Sequence, residues 1–128
     1  MKLGYVLMYV PDVAATAAFY EKAFGLKPRF VPESGAYIEM DTGDTAFGFV
    51  SEDFARKGGL EFAALRPAGT PPAIEIALIA DDVAAALDRA EKAGAAVVKR
   101  PETTPWGQTV AVVRDLNGAL VELCTRMT

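Results

Sequence analysis

The sequence repeats itself. Shifted by 70 residues, "PDVAATAAFYEKAFG" (11–25) falls on "DDVAAALDRAEKAGA" (81–95). Asp12/Asp82, Val13/Val83, Ala14/Ala84, Ala15/Ala85, Glu21/Glu91, Lys22/Lys92 and Ala23/Ala93 are identical pairs. Alanines match by chance in alanine-rich helices, so the shared Asp-Val opening and Glu-Lys-Ala close carry the signal. A repeat limits a fold more than local propensity does, because whatever one copy forms the other must form as well.

Each copy reads as a helix. Asp12 and Asp82 (or Asp81) suit N-caps, whose carboxylates accept the free amide hydrogens of a first turn. Gly25 and Gly94 suit helix ends. A strand precedes each helix, "GYVLMYV" (4–10) and "AIEIALIA" (73–80), and three strands follow: about 27–32, 36–40 and 45–50, then about 96–100, 108–114 and 119–125. "DTGD" (41–44) and "DLNG" (115–118) are turn sequences between the last two strands of each copy. Four-residue turns there would set Tyr37 beside Gly48 and Ala111 beside Glu122. The chain of 128 residues is expected to be a single domain: module 1 over about 1–54, a connector over about 55–72 and module 2 over about 73–128. The predicted fold is α+β, two βαβββ modules related by a pseudo-twofold axis. Together they would form one concave, mostly antiparallel sheet with helices outside and a ligand cleft on the concave side.

Side chains alternate along strands. Ile74, Ile76 and Leu78 make one aliphatic face and suit the helix-covered side, which leaves Glu75 on the concave side. Leu120, Glu122 and Cys124 share that side; Val121 and Leu123 oppose it. Carboxylates stand among apolar neighbours only at a cost unless they reach water or share a polar site. Either both glutamates face bulk solvent or they line a common cavity. The repeat makes Tyr5 the counterpart of Glu75, and "DTGDTAFGF" (41–49), aligned on "DLNGALVEL" (115–123), makes Gly48 the counterpart of Glu122. Tyr5, Gly48, Glu75 and Glu122 therefore form a pseudo-symmetric quartet.

Composition narrows the chemistry. The net charge is −4 and no concentrated basic patch exists, which argues against nucleic acid. No apolar stretch approaches the roughly 18 residues of a membrane helix. The opening "MKLGYVLMYV" is short, ends in "PD" and shows no cleavage site, so it reads as a strand of a cytoplasmic protein rather than a signal peptide. The single cysteine, Cys124, excludes an intramolecular disulfide and, without a histidine or a neighbouring base, reads as a small core residue rather than a nucleophile. The chain has no histidine, which removes the commonest metal ligand and the commonest general base at neutral pH. A hydrophobic content of 52% with apolar edges points to a homodimer.

Two segments carry a family resemblance: "YVPDVAATAAFYEKAFGL" (9–26) and "PWGQTVAVVRDLNGALVEL" (105–123). The chain resembles the vicinal oxygen chelate superfamily, also called the glyoxalase/bleomycin-resistance/dioxygenase superfamily, over nearly its whole length. The resemblance implies a fold more than a function, because the superfamily holds lyases, dioxygenases, epimerases, thiol transferases and non-catalytic drug-binding proteins. In its metal-dependent members four positions bind a divalent cation. Carried over, they fall on Tyr5, Gly48, Glu75 and Glu122, the quartet already found from the repeat. Only Glu122 keeps the usual ligand type. Two carboxylates suit Mg²⁺ or Mn²⁺ with several waters better than Zn or Fe, so no cofactor is favoured, and Glu75 and Glu122 are the metal candidates if a divalent metal is used.

Three functions follow. The first is metal-free binding of a cationic or aromatic small molecule, as in the antibiotic-resistance branch that sequesters basic drugs. Its ligand-binding residues would be Tyr5, Tyr9, Tyr37, Gly48, Glu75, Trp106 and Glu122, since carboxylates and aromatic faces favour such ligands. Phe19, Tyr20, Phe47 and Phe49 are assigned to the core. The second is a divalent-metal-dependent lyase or dioxygenase with Glu75 and Glu122 as catalytic candidates. The third is a non-catalytic interaction protein with a vestigial cleft.

Overall fold

The computed structural model describes residues 1–127. The chain divides into two compact units, Met1–Leu65 and a second that begins at Arg66. In the first, strand β1 (Tyr5–Val10) leads into helix α1 (Val13–Phe24), followed by β2 (Pro28–Phe30), β3 (Tyr37–Met40), β4 (Ala46–Ser51) and a short helix α2 (Glu52–Lys57). The second contains β5 (Glu75–Ile79), α3 (Val83–Lys92), β6 (Ala96–Thr103), β7 (Thr109–Arg114) and β8 (Leu120–Cys124). The α+β class and the strand-helix-three-strand order expected from the repeat are what the chain forms. Its strands group into two four-stranded sheets, ordered β1-β4-β3-β2 and β5-β8-β7-β6. In each sheet the first strand runs parallel to the last, and the other pairings are antiparallel. Helix α2 takes residues 55–57 out of the stretch read as connector.

The caps work as their residue types dictate. Asp12 is extended, and its carboxylate accepts from the Ala15 amide at 2.9 Å. Asp82 does the same for Ala85 at 3.0 Å. Each cap of this kind is worth about 1 kcal/mol. Gly25 ends α1 in the left-handed conformation (φ 73°), donating to the Glu21 carbonyl; a side chain there would be strained.

One face of each sheet carries its helix. In the first unit Tyr20 is fully buried, with its ring 4.9 Å from that of Phe49 and 5.5 Å from that of Phe47. Phe19, Phe47 and Phe49 are buried with it. In the second, Val83, Leu87 and Ala90 of α3 are buried, as are Val113, Val121 and Leu123 of the sheet. Burying a side chain of that size contributes about 1.5–3 kcal/mol. The opposite face of each sheet is open, and both candidate sites lie on such faces.

The hairpin turns are longer than four residues. Met40 pairs with Phe47, so Tyr37 stands opposite Val50 and Glu39 opposite Gly48. This slip of two residues keeps Tyr37 on the same face as Gly48. In the second unit Arg114 pairs with Leu120, which puts Val112, not Ala111, opposite Glu122. That slip of one moves Ala111 to the buried face, where it is fully enclosed. The cause is Asp115. It is buried, and its Oδ1 accepts from the amides of Asn117 and Ala119 at 2.9 Å each, which stabilises a five-residue turn. Arg114 ties the same turn to the start of the unit. Its Nε donates to the Gly118 carbonyl (2.8 Å), Nη1 to that of Gly69 (2.8 Å) and Nη2 to that of Arg66 (3.1 Å).

Candidate functional site

On the open face of the first sheet, β1 contributes Tyr5, Leu7 and Tyr9, β4 contributes Gly48 and Val50, and β3 contributes Tyr37 and Glu39, by alternation and register. A cavity of about 530 Å³ lies on this face. Four aromatic rings line it, those of Tyr5, Phe30, Tyr37 and Phe54, together with Leu7 and Glu39. Tyr5, Phe30 and Phe54 are each more than half exposed. Large apolar side chains left open around a concavity mark binding surface more often than accident.

A polar chain orders one wall. The Tyr37 hydroxyl donates to Glu39 Oε1 at 2.8 Å. Arg29 Nε donates to Glu39 Oε2 at 2.9 Å, and Arg29 Nη1 donates to the Gly43 carbonyl at 3.1 Å. Burial and the Glu39 carboxylate push the Tyr37 phenol up to about 12, so it stays a donor across the physiological range. The Tyr37 hydroxyl, and then Arg29, hold Glu39 below its ordinary value despite its burial. The carboxylate is ionised and already compensated, which leaves the cavity aromatic in character rather than anionic.

The open face of the second sheet is different. Glu75 and Glu122 project from adjacent strands, and Glu122 is opposite Ala77, two residues along from Glu75. Burial, the charge of Glu122 and a hydrogen bond between the two carboxyls raise the Glu75 value. Like charges this close favour one shared proton. Cys124, on the same face, is buried and its thiol is pushed up by burial and then by Glu122; its Sγ donates to the Leu78 carbonyl at 3.8 Å. A thiol held protonated is a poor nucleophile. Lys99 pairs with Glu102, and Glu122 adds a weaker attraction.

Of the residues singled out from sequence, Tyr5, Tyr37 and Gly48 share the face of the cavity, and Glu75 and Glu122 meet each other in the second unit. Tyr9 is engaged elsewhere, stacked on Phe62 with ring centroids 4.9 Å apart. Trp106 is 64% exposed in the β6–β7 turn, where its indole donates to Gln108 Oε1 at 2.6 Å. Arg29, Phe30, Glu39 and Phe54 were not legible as site residues. The alternation of β3 carried the one available signal, since Glu39 must share a face with Tyr37.

The four positions that the family resemblance links to a divalent cation do not supply a transition-metal set. Gly48 has no donor atom, Tyr5 offers a phenol, and Glu75 and Glu122 are two carboxylates without a nitrogen ligand. Among the described residues no three or more His, Cys, Asp or Glu side chains gather where they could hold an ion.

Similar proteins agree with this architecture. The glyoxalase-related enzyme from Fulvimarina pelagi superposes with a TM-score of 0.82 at 19% identity, covering 98% of this chain and 88% of that one. A glyoxalase/bleomycin resistance protein/dioxygenase family enzyme from Burkholderia phytofirmans PsJN gives 0.80 at 22% identity and 98% of both chains. TioX from Micromonospora sp. ML1 gives 0.72 at 23% identity, again with 98% of both covered. No curated protein matches the sequence. At such identities the structures speak for the fold alone. Membership is carried by the match of residues 2–123 to the family model, which takes in both modules and both open faces: the chain belongs to the Glyoxalase/Bleomycin resistance protein/Dioxygenase superfamily.

Proposed function

We propose that the protein binds a small aromatic or cationic molecule without a metal, in the manner of a cytoplasmic, drug-sequestering antibiotic-resistance protein. The observation that carries this reading is the aromatic cavity of the first unit. Its one charged lining residue among the described residues, Glu39, is already paired with Arg29. Tyr5 and Tyr37 are its ligand contacts, with Gly48 beneath. In the second unit the Glu75–Glu122 pair is an acceptor for a basic group, since a cation relieves the repulsion between the carboxylates. Tyr9 and Trp106 remain weaker candidates, because each already has a partner. A homodimer is part of the proposal: Leu3, Ile74 and Ile79, none of which lines the cavity, are exposed apolar surface of the kind a second copy covers.

The raised value of Glu75 favours one second reading, a divalent-metal-dependent lyase or dioxygenase in which Glu75 or Glu122 moves a proton. The open cavity counts against an interaction protein with a vestigial cleft.

A thermal-shift screen of planar aromatics and amines, run with and without EDTA, separates the readings. A ligand at 100 times its Kd should stabilise the protein by about 2.7 kcal/mol. The expected hits survive EDTA and are lost in Tyr5→Ala. Hits that need Mg²⁺ or Mn²⁺ and disappear in Glu122→Gln would transfer the assignment to the enzyme.

A further inference from the structure

Gly48 sits in the middle of β4, flanked by Leu7 on one side and Glu39 on the other. It is not a turn or a cap, and glycine is a poor strand residue. The space above it explains the choice. A Cβ on Gly48 would lie 2.7 Å from Tyr37 Oη and 2.8 Å from Tyr37 Cζ, and closer still to Cε1. The outer edge of the Tyr37 ring therefore rests on bare backbone, in the volume any side chain at position 48 would fill. The ring is also fixed through its hydroxyl, by way of Glu39 and Arg29 to the Gly43 carbonyl. Its remaining surface faces the cavity, where the Phe30 ring stands 6.3 Å away at 58°.

We propose that Gly48 and Tyr37 together form the specificity device of this cavity: the missing side chain seats the ring, and the seated ring is a stacking floor that selects planar fused-ring ligands by shape. The inference rests on the reading of the cavity as a ligand site. It adds that ligand charge matters little there, because the nearby carboxylate spends its charge on Arg29 and its other oxygen on Tyr37. The same residues explain why position 48 cannot act as a cation ligand in this chain. A donor side chain and the Tyr37 ring exclude each other.

Three probes test this by isothermal titration at pH 8: acridine (planar, neutral), N-methylacridinium (planar, cationic) and 1-adamantylamine (globular, cationic). Stacking on one aromatic face is worth about tenfold or more in affinity. Wild type should bind both acridines within about threefold of each other and the adamantyl amine about tenfold more weakly. Tyr37→Ala should abolish that planar preference, and Tyr37→Phe should keep it, since the ring remains. Gly48→Ala should lose it with Tyr37 intact; should that variant fail to fold, the Tyr37 pair decides alone. Equal binding of planar and globular probes by wild type, or a preference that survives Tyr37→Ala, overturns the stacking floor. If the probes still bind and Tyr5→Ala still removes them, the cavity reading stands without it. Tenfold preference for the cation over acridine overturns the charge indifference. No binding of any probe overturns both readings.

Discussion

Gly48 in the first unit and Glu122 in the second hold the same place: third from the start of equivalent strands, beside Leu7 and Ala77 of the parallel neighbour. Behind each of them the other sheet face is aliphatic or aromatic core, and the caps at Asp12 and Asp82 open the same kind of helix. In front, the two faces share almost no chemistry. One presents rings around a hollow, with its single carboxylate neutralised. The other presents two carboxyls that compete for a proton. The covered faces had to stay apolar, with rings in the first unit and aliphatic side chains in the second, because each must pack densely against its helix. The open faces are free of that constraint, and one architecture carries two unlike surfaces.

The largest effect that tests this contrast is at a turn. Gly118 has φ +92°, and a Cβ there would lie 2.7 Å from the Arg66 carbonyl carbon and 2.7 Å from Arg114 Nη2. Its counterpart in the first unit is Asp44. Gly118→Asp should cost about 3 kcal/mol in urea denaturation through strain and overpacking, and Asp44→Gly should change stability by less than about 0.5 kcal/mol. Comparable losses at both would show that the turns are held alike.

A smaller effect sharpens the first unit. In a spectrophotometric titration the tyrosine absent from Tyr37→Phe should ionise at about 12. Glu39→Gln should bring that step down toward the ordinary value of about 10. The sign for stability follows. The folded protein holds this proton more tightly than the unfolded chain, so stability is intact below the ordinary phenol value and is lost as pH climbs through about 12. A Tyr37 that ionises at the ordinary phenol value of about 10 would mean its hydroxyl is not held by Glu39.

The smallest effect belongs to the second unit. The folded state raises the Glu75 value, so ionising Glu75 works against folding, and stability should rise as pH falls through the folded value toward the unfolded one. Glu75→Gln should therefore be slightly more stable than wild type at pH 7, by about 0.5 kcal/mol or less at so exposed a site. The advantage should vanish below the ordinary carboxylate range. A variant destabilised at neutral pH would show that Glu75 is paired with a cation and not with Glu122.

Helices and strand faces were legible because they depend on signals that recur every few residues: Asp12 and Asp82 before apolar runs, and alternation through "AIEIALIA". Register was less so. It depends on turn length, and turn length in the second unit depends on where the buried Asp115 carboxylate finds its amides, which no pattern in "DLNG" reveals. The face of Tyr37 survived because that slip was even; the face of Ala111 did not because its slip was odd. The pairing of Glu75 with Glu122 could be reasoned from alternation. The cavity could not, because Phe30 and Arg29 come from a three-residue edge strand and Phe54 from a short helix, neither long enough to show a period.

The Arg114 fork also decides where this chain can be divided by someone wishing to express its halves. One guanidinium gathers the carbonyls of Arg66, Gly69 and Gly118, so residues 66–69 travel with the last hairpin even though they precede it by more than forty positions. A break placed inside 66–69 would strand one carbonyl on the wrong fragment and leave the fork partly empty. A break between Leu65 and Arg66 leaves all three hydrogen bonds within one piece. The seam between the halves is thus set by a side chain far downstream, at a point that the run of glycines and prolines from 55 to 72 does nothing to single out.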